Sequence, residues 1–312
     1  MEKVTDRKII LVTRKTRLEN LIVQYNTIQQ AKFIIEHSGS DFSDYVNEDK
    51  QYKSTVSQTI SILEAFGYVQ VLDRDYISNF IFGKEDIIVV VGQDGLVANT
   101  LKYLDNQPLI GVNPDPKRWD GVLLPFNVKE LEKVMIDVFK SHRIIKEVTL
   151  AKVSLNDGQS LLAVNDLFIG QKTHVSARYI LQYNGEQEHQ SSSGIIISTG
   201  LGSTGWFKSI LAGATGVAGN CLNKPLQLRQ IDDFSWDSDF LYYTVREPYP
   251  SNWTSANMVF GKISKRNTFK IESLMPENGV IFSDGIESDY LQFNSGTEAI
   301  ISIADHKGLL VV

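Results

Sequence analysis

Cysteine is almost missing from this chain of 312 residues: Cys221 stands alone. One thiol cannot close an internal disulfide, and no signal-peptide-like apolar segment is found, so the expected setting is reducing and cytoplasmic. Histidine is also scarce. The five histidines, at 37, 142, 174, 189 and 306, are scattered, so with a single cysteine they offer no metal-ligand spacing and no metal site is expected. No apolar run approaches membrane-spanning length. Basic charge is not in excess either, with 31 Lys and Arg against 37 Asp and Glu, and a formal charge of −6 gives no sequence-wide attraction for nucleic acid or an anionic membrane. The chain lacks a Gly-x-Ser-x-Gly elbow and a Gly-Lys-Ser/Thr loop, which removes the sequence support for a hydrolase triad and for a Walker A site. The opening residues Met1 to Lys8 mix both charges and do not look like an Arg-rich transit peptide.

What is present begins with alternating strands and helices. Ile9 to Thr13 reads as a strand, followed by one helix through Leu18, Leu21, Ile22, Tyr25 and Ile28. Ser38 to Lys53 is polar and predicts a surface loop, after which Ser54 or Thr55 would cap a helix ending near Gly67. Tyr68 to Leu72 reads as a strand, Ile87 to Val91 as a strand buried on both faces, Val97 to Leu104 as a helix and Pro108 to Asn113 as the next strand. Asn127 with Glu130 makes a capping-box-like start to a helix. This is the grammar of a parallel α/β domain.

Past about Arg143 the pattern turns to strands. Val148 to Leu155, Leu161 to Ile169 and Tyr179 to Tyr183 are strands, with hairpin turns at Asn156-Asp157-Gly158 and Asn184-Gly185. Further strands are expected at Phe240 to Val245, Thr268 to Leu274, Val280 to Ser283, Tyr290 to Phe293, Ala299 to Ile303 and Leu309 to Val312. Two domains follow, 1–145 and 146–312, and a cleft between domains is a usual place for a ligand.

Two glycine-rich turns end apolar strands. In Gly92-Gln93-Asp94-Gly95 the glycines permit positive φ and close backbone approach to phosphate oxygens, and Asp94 is presented at the strand's carboxyl end. An ordinary strand-to-helix turn is the plainer alternative. In Thr199-Gly200-Leu201-Gly202-Ser203-Thr204-Gly205-Trp206, Gly202, Ser203 and Thr204 fall at the start of a helix predicted over Phe207 to Leu211, where an anion is favoured. Trp206 suits either interface packing or stacking on a base. Asn165-Asp166 interrupts an apolar strand and needs partners, either within a bulge or on ribose hydroxyls. Asp284-Gly285, after Val280-Ile281-Phe282, reads first as a hairpin turn, with a third acid presented at a strand end as the alternative.

These pieces, in order and spacing, resemble the NAD kinase family, within the superfamily of diacylglycerol and sphingoid-base kinases. The family's Gly-Gly-Asp-Gly turn is matched by Gly92 to Gly95, its Asn-Glu pair by Asn165-Asp166, and its Thr-x-x-Gly-Ser-Thr loop by Thr199 to Thr204. The mitochondrial-type branch is matched best, through Gly111 to Pro116 with Asn113, Ser192-Ser193-Gly194 and Trp206. The resemblance implies a Rossmann-like N-terminal domain, a C-terminal β-sandwich-like domain, and a cleft binding NAD beside ATP with Mg2+. It implies transfer of the γ-phosphoryl group to the 2′-hydroxyl of the adenosine ribose, with Asp94 orienting or deprotonating that hydroxyl. Asn165 and Asp166 would hold NAD hydroxyls. Gly92, Gly95, Asn113, Thr199, Gly202, Ser203, Thr204 and Trp206 would contact the nucleotides. A homodimer or homotetramer is the family expectation, with no nucleic-acid or membrane partner. The chain departs from the pattern at Gln93, which replaces a glycine, at Leu96 and Leu201, which remove hydroxyls, and at Asp166, which is one methylene shorter than Glu. Those departures keep two alternatives open: a nucleotide-binding regulator without catalysis, and a kinase of the same fold acting on a lipid or another polyol.

Overall fold

A computed structural model describes residues 4–224, 226, 234–267, 269–287 and 289–312. Met1, Glu2 and Lys3 of the opening segment, and Thr268 at the start of an expected strand, lie outside them. Two compact units result, Met1–Lys146 with Leu309–Val312, and Glu147–Gly308.

The first unit runs β1 (Lys8–Thr13), α1 (Arg17–Tyr25), α2 (Ile28–His37), α3 (Phe42–Glu64), β2 (Tyr68–Asp73), β3 (Ile87–Val91), α4 (Asp94–Leu101), β4 (Pro108–Val112) and α5 (Leu131–Phe139). Its strands are parallel in the order β2-β1-β3-β4, and Leu309 and Leu310 continue the ladder beside Pro108 and Leu109. All five residues of β3 are buried, as expected where both faces of a parallel sheet are covered. Strand order reverses between β1 and β3, so their carboxyl ends form the kind of switch point at which open α/β sheets bind ligands.

Two expectations for this unit are corrected. The single helix expected from Leu18 to Ile28 is two helices, because Asn26 adopts a left-handed φ of 64° and Thr27 caps α2 by accepting from the Gln30 N–H. The loop expected over Ser38 to Lys53 is helical: α3 starts on its Asp41 cap and runs 23 residues straight through Ser54 and Thr55. Beside Phe42 and Leu63, its buried residues are polar or carry a polar group. Glu48 pairs with Arg14 at 2.8 Å, Asp49 accepts from the Thr16 hydroxyl at 2.7 Å, and the Tyr52 hydroxyl donates to the Val91 carbonyl at 2.9 Å. Apolar periodicity cannot reveal a helix that buries hydrogen-bonded groups instead of aliphatic ones. At the other end of the unit, the Asn127–Glu130 pairing forms, with the Asn127 N–H donating to Glu130 Oε2 at 3.0 Å, although regular helix starts at Leu131.

The second unit runs β5 (Ile145–Leu155), β6 (Ser160–Ala163), β7 (Asp166–Gln171), β8 (Ala177–Tyr183), β9 (Glu186–Ser192), β10 (Ile195–Ser198), α6 (Trp206–Cys221), β11 (Phe240–Val245), β12 (Phe260–Ser264), β13 (Phe269–Ser273), β14 (Gly279–Ser283), β15 (Tyr290–Gln292) and β16 (Glu298–Val311). One layer is antiparallel through β9, β8, β13 and β16, with β5 on β16 and β6 on β5. The other is a six-stranded sheet in the order β12-β11-β10-β7-β14-β15. Val153, Leu181, Ile271 and Ile301 from the first layer share a buried core with Leu167, Ile197, Leu241 and Ile281 from the second. Each such side chain contributes roughly 1.5–3 kcal/mol on burial. The arrangement is sandwich-like, as the family resemblance implied.

Here too the elements differ from expectation in four places. Asn184 and Gly185 do form the hairpin, with φ of 53° and 83°, but the polar partner strand β9 went unread because its alternation carries no aliphatic residue. The expected strand Leu161 to Ile169 breaks at Val164-Asn165, placing β6 and β7 in different layers. The two last expected strands are one strand of 14 residues, β16, and α6 extends ten residues beyond Leu211. No helix among the described residues is long and apolar enough to cross a membrane.

Candidate functional site

In the first unit the apolar run of β3 ends at Gly92, and α4 begins with Asp94 in its first turn, after Gln93 at the N-cap. That position sets a carboxylate at the positive end of the helix dipole. Asp94 Oδ1 accepts from the Leu123 N–H at 2.8 Å and Oδ2 from the Val122 N–H at 3.2 Å. The loop that supplies these amides is closed by Asn113, whose Nδ2 donates to the Trp119 carbonyl at 2.8 Å and whose Oδ1 accepts from the Asp115 N–H at 3.0 Å. Arg118 ties the same loop to Asp44, and with Arg17 it holds the Asp44 carboxyl well below the usual carboxylate range. Asn113 spends one donor and one lone pair on shaping the loop, and each Asp94 oxygen keeps a further lone pair for a ligand hydroxyl. Neither Gly92 nor Gly95 uses a positive φ, contrary to the sequence reading. A Cβ at Gly95 would meet nothing within 4 Å, so the space beside the start of α4 is open.

The register of the six-stranded sheet builds the site in the second unit. Asp166 stands opposite Ser198, and Leu167 opposite Ser283, so the start of β7 meets the ends of β10 and β14. Thr199 and Asp284 are the next residues along. The Thr199 hydroxyl lies 2.5 Å from the Val164 carbonyl, its N–H donates to the Asn165 carbonyl at 3.0 Å, and its oxygen accepts from the Gly202 N–H at 3.2 Å. Thr199 is fully buried and is occupied with this turn. Gly202 is required by close approach: a Cβ there would lie 2.1 Å from the Asn165 carbonyl oxygen. Ser203 and Thr204 follow in a short 3-10 turn, half-buried and exposed respectively, before Gly205 leads into α6.

Asn165 is half-buried and Asp166 is 8% exposed. Among the described residues no hydrogen bond reaches the Asp166 carboxylate or the Asn165 side-chain amide. Burial, and after it the neighbouring charge of Asp284, pushes Asp166 up to about 7. A buried carboxylate without donors is costly, and either a proton or ligand hydroxyls can relieve that cost. Of the two openings left by the sequence, the bulge is not what forms. The pair stands at a strand break whose backbone is held from outside.

Trp206 is packed and pocket-lining at once. Its ring stacks on Phe168 at 5.7 Å, Phe168 stacks on Phe282 at 4.8 Å, and the Arg246 guanidinium lies 5.1 Å over the indole. These groups, with Lys172 and Tyr290, line a pocket of about 200 Å³. Phe168 and Arg246 were not singled out from the sequence; only their places in the register of β7 and beyond β11 reveal them.

Comparison with known proteins decides what this architecture is. The structure is similar to that of an NAD kinase from Archaeoglobus fulgidus in complex with ATP, with a TM-score of 0.58 and 15% identity, covering 98% of this chain and 93% of that one. It is similar to yeast NADH kinase complexed with NADH to the same degree, covering 99% of this chain and 84% of that one. The chain has the fold of the NAD kinases. In sequence it is 27% identical over 267 residues to human NAD kinase 2, mitochondrial, a match covering 69% of this chain and 60% of that protein. It is 23% identical over 159 residues to an NAD kinase of Saccharolobus islandicus, covering 51% of this chain and 57% of that protein. The chain thus spans less than two thirds of the length of these relatives. No family model matches it. Together the relatives and the fold support an NAD kinase family assignment.

Against that fold, two of the departures are internal. Leu96 and Leu201, which stand where the family carries hydroxyls, are both buried side chains. Gln93 makes no capping hydrogen bond of its own.

Proposed function

We propose that this chain is an ATP-dependent NAD kinase. The 2′-hydroxyl oxygen of the adenosine ribose attacks the γ-phosphorus of ATP, the bond from that phosphorus to the β-bridging oxygen breaks, and ADP leaves. Asp94 orients the hydroxyl and takes its proton. Phosphoryl transfer needs in-line positioning and charge neutralisation more than covalent help, so one carboxylate and backbone donors suffice on the protein's side. Asn165 and Asp166 hold the NAD hydroxyls, and the residues from Gly92 to Gly95 and Gly202 to Thr204 approach the phosphates. The observation that carries this reading is Asp166: a buried carboxylate, lacking protein donors among the described residues, on a backbone held rigidly in place.

Magnesium enters as part of the MgATP substrate. We propose self-association as a homodimer or homotetramer, and a cytoplasmic setting in keeping with the single, exposed Cys221; the human relative is named as mitochondrial.

A second reading is favoured by one observation. Both Asp94 oxygens accept from loop amides, which suits an anchor as well as a base, and an anchor alone would make the protein a nucleotide-binding regulator. Incubation of the purified protein with NAD and MgATP separates the two. NADP formation establishes the kinase; NAD binding in a calorimeter without product establishes the regulator.

A further inference from the structure

The reaction above uses Asp94, Asn165 and Asp166 and leaves Asp284 as a turn residue between β14 and β15. The turn itself is as expected, with Asp284 and Gly285 both left-handed at φ of 54° and 71°. The Asp284 carboxylate, however, is directed away from its own turn and onto the strand break at the start of β7. Oδ1 accepts from the Asn165 N–H at 2.6 Å and lies 3.3 Å from the Asp166 nitrogen, and both oxygens lie 3.1 Å from the Val164 nitrogen. The Asp284 N–H donates back to the Asp166 carbonyl at 3.0 Å. One carboxylate thus gathers three consecutive amides from a segment 118 to 120 residues away. On the opposite side of the same three residues, Thr199 takes the carbonyls of Val164 and Asn165.

Donors and acceptors of this short backbone are held by two different side chains, neither of which need touch substrate. A break of that kind in an otherwise apolar strand would ordinarily leave buried amides unsatisfied. Charge-assisted acceptance by a carboxylate is the strongest remedy available and also the most directional.

We infer that Asp284 is the positioning residue of the nucleotide-hydroxyl pair, fixing the backbone from which Asn165 and Asp166 reach the ribose. This rests on the reading of that pair as the holder of NAD hydroxyls. Asp284 is not a catalytic residue here; it acts through Asn165 and Asp166. Affinity for the dinucleotide depends on it, and the chemical step at saturation does not.

The test compares the full-length protein with Asp284→Ala and Asp284→Asn by amide hydrogen exchange, NAD calorimetry and steady-state kinetics. Removing the carboxylate should speed exchange of the amides of residues 164–166 and raise the NAD Kd and KM roughly tenfold, the loss expected when buried donors go unpaired. Turnover at saturating NAD should stay within about threefold and the KM for ATP should not move, the pattern of lost ground-state binding. Asp284→Asn retains one acceptor oxygen and should fall between the two proteins. Unchanged exchange and unchanged NAD affinity in a folded variant overturn the assignment, and so does a fall in turnover and ATP affinity in step with NAD affinity. If Asp284→Ala does not fold, Asp284→Asn decides alone, through faster exchange with weaker NAD binding on one side and wild-type values on the other. A wild-type protein that fails to bind NAD counts against the kinase reading instead, while the exchange data still judge the clamp.

Discussion

Asp94 and Asp166 are the two acids to which this account gives direct roles, and their surroundings could hardly differ more. Asp94 opens a helix, with the dipole behind it and two loop amides on its oxygens. Asp166 opens a strand, buried and facing the charge of Asp284, its carboxylate receiving no hydrogen bond among the described residues. The first environment supplies two hydrogen-bond donors to the carboxylate; burial in the second opposes the charged form. Environment, not residue type, separates the acid presented to an incoming hydroxyl from the acid that gains most by acquiring hydroxyl partners.

Breaking the first half of the contrast should have the largest effect. Asp94→Asn removes the proton acceptor, and turnover should fall by roughly 10² to 10⁴ while NAD binding persists, as steady-state kinetics and calorimetry would register. Next comes Asp166→Asn, read by stability against pH. The folded pKa of Asp166 is raised to about 7, so its contribution to stability is fully present below the unfolded value near 4 and is lost as pH rises through about 7. Wild type should therefore lose on the order of a few kcal/mol relative to Asp166→Asn between those pH values, measured by denaturant titration at each pH. If the two proteins run parallel across that window, the buried-acid description fails.

Smaller effects sharpen the comparison at its glycines. Gly202→Ala forces a methyl against the Asn165 carbonyl and should cost about 1–3 kcal/mol of stability together with weaker NAD binding. Gly95→Ala meets no protein atom within 4 Å and lies in the first turn of α4, so thermal unfolding should change little, within about 1 kcal/mol. Any loss of kcat/KM in that variant then reports contact with the nucleotide and not with the protein.

Much of this molecule could be read from short stretches and some of it could not. Five β-branched residues before Gly92 announced a doubly buried strand, and Asn184-Gly185 announced a hairpin, because in both cases the cause of the structure is local. The first half of α3 escaped because Glu48, Asp49 and Tyr52 on its buried face find their partners elsewhere in the chain. Aliphatic residues on both sides of Asn165-Asp166 concealed the strand break, since the force that holds it open comes from Asp284. The same long-range pairing explains why Asp284 looked first like a turn. Its role exists only once β14 is laid beside β7. Thr199 is the converse case: the motif was legible, but the hydroxyl it supplies is engaged with the backbone of Val164 and Asn165.

The central claim, that one acid serves chemistry and the other serves binding, is tested most directly by measuring NAD affinity and NADP formation side by side for Asp94→Asn and Asp166→Asn. Asp94→Asn should bind NAD and form little NADP, and Asp166→Asn should bind NAD weakly yet form NADP when NAD is driven to saturation. Asp94→Asn that turns over normally, or Asp166→Asn that binds normally and does not turn over, would contradict it.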